Sequence, residues 1–419
     1  MNQLISIFSI PELKKRIYFI LFIIFIYRLG GHIPISGVDI LAITELFNNN
    51  GILGFFNLFS GGGLSRFSVF ALGILPYINA SIIMQLITII SPSIKQLAEE
   101  GESGKKQISQ YTRYLAILIA FLQSIFMSLG FKSFILPDVN FYFFIFYSVL
   151  GLVAGATIVM WFGELINEYG VGNGASILIF IGIISELPVY FKNTIILIQG
   201  GTSIFMVFFM IFVFIIMIFA IVQVQEAERK LPIQYARKIV GRKMYGASNT
   251  FIPFRLIQGG VMPIIFASAL LQFPLMFSQY IPIDLIKNFF ATYYRYDGFF
   301  YNFCFAILIF FFTYFYTAIT FNPKEISDNL KKYGGFIMGI RPGHYTELYL
   351  DSLITKLTLF GAVFLSIFAL VPIISANITN VNSFMGLGGT ALLIIVGVAI
   401  DIVRQIETFE ISKKYEGMR

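Results

Sequence analysis

Apolar residues run through this chain in ten long stretches, each separated from the next by a shorter polar or basic segment. The stretches lie near residues 17–33, 67–90, 113–131, 141–162, 174–191, 203–223, 258–280, 300–321, 353–376 and 384–403. Each is close to the roughly 20 residues that a helix needs to cross a bilayer core. The pattern predicts an all-α integral membrane protein with ten transmembrane helices. The first stretch is expected to stay in the mature protein, because no small-residue cleavage site follows Arg28-Leu29-Gly30-Gly31. Ahead of the second span, residues 55–64 form a short apolar run broken by Gly61-Gly62-Gly63, which continues into that span without a loop. This is the pattern of a re-entrant half-span followed by a helix. Irregular backbone at membrane depth is tolerated only where protein or a watery cavity satisfies its polar groups, so the segment is expected to line a pathway.

The second span has an echo. Gly73-Ile74-Leu75-Pro76-Tyr77-Ile78-Asn79-Ala80-Ser81, ending at Gln85, matches Gly260-Val261-Met262-Pro263-Ile264-Ile265-Phe266-Ala267-Ser268, ending at Gln272, at a constant offset of 187 residues. A weaker echo pairs Gly170, Gly172, Ala175 and Ile179 with Gly386, Gly388, Ala391 and Ile395. Interrupted apolar segments in matching places of two halves are the trace of a structural repeat with the working site at its interface. For the weaker pair, chance similarity between apolar helices is an equal reading.

Composition and charge sharpen the class. The chain is 57% hydrophobic and only 12% charged, with a mean hydropathy of +0.82, whereas soluble domains carry about 25% charge. The one cysteine, Cys304, excludes a disulfide framework within the chain. If the N-terminus is inside, 23 of the 29 Lys and Arg residues fall on inner segments, and the outer side holds only Arg28, Arg66, Lys132, Lys192, Lys287 and Arg295. The positive-inside rule then gives N-in, C-in. Two inner loops, 224–256 and 322–350, exceed what topology needs. The first interleaves basic and apolar residues with Pro and Gly breaks, which predicts a structured basic hairpin. Both loops would offer a positive surface to an acidic partner or to phosphates such as ribosomal RNA. Ordinary juxtamembrane charge is the other reading of the same counts.

Chemistry-bearing constellations are few. His32 and His344 have no ligand-spaced partners, so no metal is implied. Gly61-Gly62-Gly63 and Gly170-Val171-Gly172-Asn173-Gly174 lack a Walker context and read as turns. No ionisable residue falls near the middle of a predicted span, with Glu164, Glu186, Asp351, Asp401 and Arg404 all placed at ends. That argues against the alternative of an inverted-repeat secondary transporter for a small solute, which would carry such residues at the midplane. What converges is apolar: Ile74, Ile78 and Ile82 form a stripe, and Ile265 occupies the slot equivalent to Ile78. An apolar constriction gates by dewetting and needs no charge; plain helix packing would give the same stripe.

Several motifs, in order along the chain, resemble the SecY family, the channel subunits of the bacterial Sec translocon. They are Asn57-Leu58-Phe59-Ser60-Gly61-Gly62-Gly63, the run from Phe70 to Ile82, Glu100-Gly101-Glu102-Ser103-Gly104, Tyr111-Thr112-Arg113-Tyr114, Gly172-Asn173-Gly174, Ile340-Arg341-Pro342-Gly343 and Gly388-Gly389-Thr390. The resemblance implies a protein-conducting channel with two pseudo-symmetric five-helix halves, 1–200 and 201–419, and no enzymatic activity or cofactor. It implies a re-entrant plug at about 55–66, including Asn57, Phe59, Ser60, Gly61, Gly62 and Arg66. A pore ring would map to Ile74, Ile78, Ile82, Val171, Ala175, Ile179, Ile265 and Ile394, and a lateral gate to Ser81, Gln85, Ile257 and Gln258, with the third and eighth spans beside it. Arg237, Lys238, Arg242, Lys243 and Arg341 would dock the SecA ATPase or the ribosome. The implied partners also include the small SecE and SecG membrane subunits, unfolded polypeptides with signal sequences, and the lipid bilayer. The implied location is the bacterial cytoplasmic (inner) membrane, with the plastid thylakoid as second choice. Two departures stand out: Ile257 replaces a polar Asn at the gate, and Val171 and Ala175 would loosen the ring.

Overall fold

The computed structural model describes residues 10–49, 57–201, 203–235, 238–240, 243–245, 250–278, 298–379 and 388–416. Every predicted span is occupied by a helix. In chain order these are α1 (Pro11–Gly30), α3 (Leu75–Ile90), α5 (Glu102–Gly130), α6 (Phe141–Tyr169), α7 (Gly174–Gln199), α8 (Ile204–Glu226), α9 (Met262–Ser278), α10 (Phe299–Thr320), α12 (His344–Thr379) and α13 (Gly388–Glu416). Among the described residues, three shorter α-helices, α2 (Ile40–Asn49), α4 (Pro92–Glu99) and α11 (Pro323–Lys332), lie between them. Among the described residues, seven helices are long and apolar enough to cross a membrane on their own, and α3 with α4 makes an eighth, bent by 101°. Pro92 opens α4 directly after Ser91, an extended residue at which the helical ladder stops. α5 and α6, at 29 residues each, measure about 43 Å and overshoot the bilayer core.

Boundaries move where irregular backbone intervenes. The second span, expected from residue 67, becomes helical only at Leu75, because 60–74 form a chain of turns. The fifth runs to Gln199 and not to 191, carrying Pro188 inside it.

The principal helix contacts fall into two sets. α3, α5, α6 and α7 pack in succession, with α1 on α6; α9, α10, α12, α13 and α8 do the same. The sets meet along two seams, α3 against α9 and α7 against α13. One apolar cluster spans both, from Ile78 and Ile179 in the first set to Ile265 and Ile394 in the second. Large side chains on α8, including Phe205, Phe208, Phe212, Ile215 and Phe219, are exposed, as suits a helix facing hydrocarbon.

A polar clasp closes the α7/α13 seam at its basic end. Arg16 of α1 donates to the Gly170 carbonyl (3.2 Å) and lies over the Phe409 ring (5.3 Å). Glu12 pairs with Lys413 (3.0 Å), and the Gly172 N–H donates to Gln405 Oε1 (2.6 Å).

The basic hairpin is present and larger than predicted. β1 (Glu228–Tyr235) pairs antiparallel with β4 (Thr250–Arg255), with Leu231 opposite Ile252. β5 (Gly335–Ile337), from the other long loop, adds to the free side of β1 with Ile233 opposite Ile337. Leu231 and Ile233 turn inward while Lys230 and Pro232 face out, and the buried side rests on Phe254, Leu350 and Ile354. The two basic loops therefore form one three-stranded sheet. A second small hairpin, β2 (Lys238–Val240) with β3 (Lys243–Tyr245), lies within the first loop.

Candidate functional site

The two copies of the G-x-x-P motif fold alike. Gly73 and Gly260 both adopt left-handed backbone, with φ of 55° and 56°, a conformation that glycine adopts without steric cost. Each helix starts two residues later, at Leu75 or Met262, with the motif's proline second. Proline is suited there, because first-turn N–H groups have no intrahelical acceptor. The turn thus sets where each helix begins, and so which residues face the interior.

Those residues are isoleucines. Ile74, Ile78, Ile82, Ile179, Ile265 and Ile394 are all at most 4% exposed and belong to one contiguous cluster, with Ala175 packed at its margin. Ile78 and Ile265, the paired positions of the echo, line the same cavity of about 150 Å³ with Ala175 and Ile179. Val171 is not brought there. It sits half-exposed in the turn between α6 and α7, whose next residue is held to Gln405 of α13. The resemblance implied a place for it in the ring with Ala175 and Ile179; the turn sets it apart from both.

Ser81, Gln85, Asn167, Asn173, Ser176 and Tyr316 give the cavity a polar rim. Gln85 Nε2 donates to Ser81 Oγ (3.2 Å), one turn apart on α3, so both gate candidates face the α3/α9 seam. α5 packs on α3 and α10 on α9, which puts the third and eighth spans beside it. Ile257 is buried, 4% exposed, in the apolar cluster, near Gly361 of α12. The neighbouring Gln258 Nε2 is buried without a hydrogen-bond partner.

Of the plug candidates, 55–56 lie outside the described residues. From Asn57 onward the segment is a compact knot. Asn57 Oδ1 accepts from the Ser65 N–H (2.9 Å), Ser60 Oγ accepts from the Leu64 N–H (3.0 Å), and Ser65 Oγ donates to the Gly62 carbonyl (3.0 Å). Phe59 is 2% and Ser60 3% exposed. Short polar side chains thus satisfy backbone that no ladder serves. The knot rests on α7, where a Cβ at Gly182 would lie 3.0 Å from the Leu58 carbonyl oxygen and 3.3 Å from that of Phe59.

One residue departs from the expectation that ionisable groups stand only at the ends of spans. Glu186 lies near the middle of α7, since the helix continues to Gln199, and is 6% exposed. It is seven residues, about two turns, from Ile179 on the same face. That spacing, with Gly182 between, was the available signal. His32 is structural in geometry, bridging the Arg28 carbonyl (2.8 Å) and Arg66 (3.0 Å). Among the described residues no three His, Cys, Asp or Glu side chains come together as metal ligands.

On the basic face, Arg341 is exposed in the turn after β5. The turn is braced on both sides, as Thr346 Oγ1 donates to the Arg341 carbonyl (3.0 Å) and Ser327 Oγ to that of Gly343 (2.8 Å). Lys238 and Lys243 stand on β2 and β3, while Arg237 and Arg242 lie outside the described residues.

With this geometry in place, three comparisons converge. A family model described as SecY matches residues 68–403. The chain is 43% identical to a protein translocase subunit SecY of Thermotoga maritima, over 98% of this chain and 96% of that protein. It is 44% identical to one of Synechocystis, over 97% and 94%. A solved structure of a protein-conducting channel shares the fold, with a TM-score of 0.66 and 19% identity over 95% of this chain and 93% of that one. Another, reported for the plug domain of SecY stabilising the closed channel and maintaining a membrane seal, matches with TM-score 0.66 and 20% identity over 95% of this chain and 93% of that one. Matched along almost its whole length, the chain belongs to the SecY family.

Proposed function

We propose that this protein is the central conduit of a Sec translocon, passing unfolded secretory polypeptides across the membrane and releasing transmembrane segments sideways into lipid. The observation that carries this reading is the meeting of Ile78 and Ile265 at one cavity, from two copies of the same turn-helix unit. Branched aliphatic side chains at a neck disfavour water, so ions are excluded at rest. Isoleucine offers no hydrogen bond to hold a passing chain, and it yields as the helix sets part. In this reading, residues 1–200 and 201–419 are the two halves, 57–66 the described part of the plug, and the α3/α9 seam the lateral gate. The work is conduction and not catalysis; the site is built from aliphatic side chains and backbone turns.

The three-stranded sheet and the Arg341 turn form the docking surface for the SecA ATPase or the ribosome, on the cytosolic side of an N-in, C-in protein. The 23-to-6 division of basic residues supports that orientation. One solved relative by fold, with TM-score 0.63 and 18% identity, is Sec61 in a canine ribosome-channel complex. SecE and SecG are proposed as membrane partners, and the bacterial cytoplasmic membrane as the site of action.

The test is planar-bilayer conductance of the purified channel with both Ile78 and Ile265 replaced by Asn. Amides at the neck stabilise water, so a resting ion conductance is expected, with relaxed discrimination against defective signal sequences. If the two residues only pack helices, buried amides cost several kcal/mol and the protein is depleted from the membrane. A fully assembled, electrically silent double variant overturns the ring.

A further inference from the structure

Glu186 is the buried acid that the apolar pore does not use. It stands on the face of α7 that meets the knot, 6% exposed. Gly62, at φ +81°, is pressed so close to it that a Cβ there would collide with Glu186 Oε1. Two guanidinium groups stand at the same glycines: Arg28 of α1, whose Nη1 would lie 3.2 Å from a Cβ on Gly61, and Arg66 from the far end of the plug segment, whose Nη1 would lie 3.6 Å from a Cβ on Gly62. Arg28 Nη1 also donates to the Gly61 carbonyl (2.8 Å), and Arg66 Nη1 is tied to His32 Nε2 (3.0 Å). These arginines are two of the six basic residues on the sparsely charged side of the chain. A buried carboxylate is costly unless countercharges attend it. Here one countercharge is fixed in a spanning helix and the other leaves with the plug.

We infer that Glu186 is a latch for the plug: with Arg28 it clamps the Gly61–Gly62 backbone onto α7, and Arg66 completes the lock only while the plug is seated. Departure of the plug separates Arg66 from Glu186 and leaves the carboxylate facing the emptied space beside the ring. Opening the channel therefore carries an electrostatic cost, set by these three side chains and separate from parting the isoleucines. The inference rests on the plug reading of 57–66.

The test uses the full-length channel with Cys304→Ala and a reporter Ser60→Cys, reconstituted in planar bilayers and in vesicles. Reaction of the reporter with a charged maleimide follows the plug, and conductance follows the pore. Glu186→Gln keeps size and removes charge; labelling about tenfold faster is expected, with brief openings, the attraction between a buried carboxylate and a nearby guanidinium being at least of that order. Arg66→Gln should do the same, and the double variant should be no worse than either, since the same attraction is lost once. Arg28→Gln, which frees the Gly61 carbonyl, is the second probe should Glu186→Gln not accumulate. Unchanged labelling in Glu186→Gln, or strictly additive effects with Arg66→Gln, overturns the latch. A channel lacking 57–64 is run in parallel. If it leaks while Glu186→Gln is silent, the plug stands and the latch falls; if it does not leak, the plug reading falls and the latch with it.

Discussion

Gly73 and Gly260 share a backbone conformation but not an environment, and that difference is measurable. Both hold φ near +55°, which costs an L-residue about 1–2 kcal/mol. A Cβ on Gly73 would also lie 3.2 Å from the Phe59 carbonyl oxygen, whereas one on Gly260 meets only Asp401 Oδ2 at 3.7 Å. Gly73→Ala is therefore expected to lower thermal stability in detergent more than Gly260→Ala, and to loosen the plug, while Gly260→Ala pays the backbone cost alone. Equal shifts in the two variants would show that contact with the plug contributes nothing at this turn. The repeat was legible in the sequence because a glycine that must be left-handed and a proline that must be in the first turn leave fixed letters. Glu186 was not. Its role depends on what stands opposite, and one letter near the end of a hydropathy peak does not reveal an arginine at each side.

Among the elements, the plug segment and the basic sheet make contrasting predictions. Three side-chain contacts, from Asn57, Ser60 and Ser65, tie the segment to itself, so it is a self-contained unit resting on α7. Deleting 57–64 should leave a folded, functional and leakier channel, checked by membrane abundance and resting conductance; disappearance from the membrane would mark the segment as core. The sheet is expected to tolerate charge reversal at its rim, because Arg341 is held through its backbone carbonyl and its guanidinium is exposed. Arg341→Glu should abolish SecA-driven translocation in vitro with insertion and subunit assembly intact, since reversing an exposed charge perturbs encounter and docking more than folding. Normal translocation by that variant would remove Arg341 from the docking surface. Spans were readable here because hydropathy is a local property. The joining of the two loops was not, since β5 is three residues long and finds β1 about a hundred positions away, a pairing that no local pattern encodes.

For the molecule as a whole, the two seams differ in kind. The α7/α13 seam is clasped at one end by Glu12 with Lys413, Arg16 with Gly170 and Gln405 with Gly172. At the α3/α9 seam, Gln85 bonds within its own helix, to Ser81. On the proposed reading, parting the halves is cheaper along the second seam, and the clasped seam is its pivot. The sheet adds a mechanical consequence. Any motor that thrusts a chain into a pore feels an equal recoil and must stand on something that does not give. β1 continues from α8, β4 leads into α9 and β5 leads toward α12, so a push against the sheet is spread over three spans of the same helix set. If a motor docks there as proposed, one helix set bears the thrust as a footing, while the other is left free to swing.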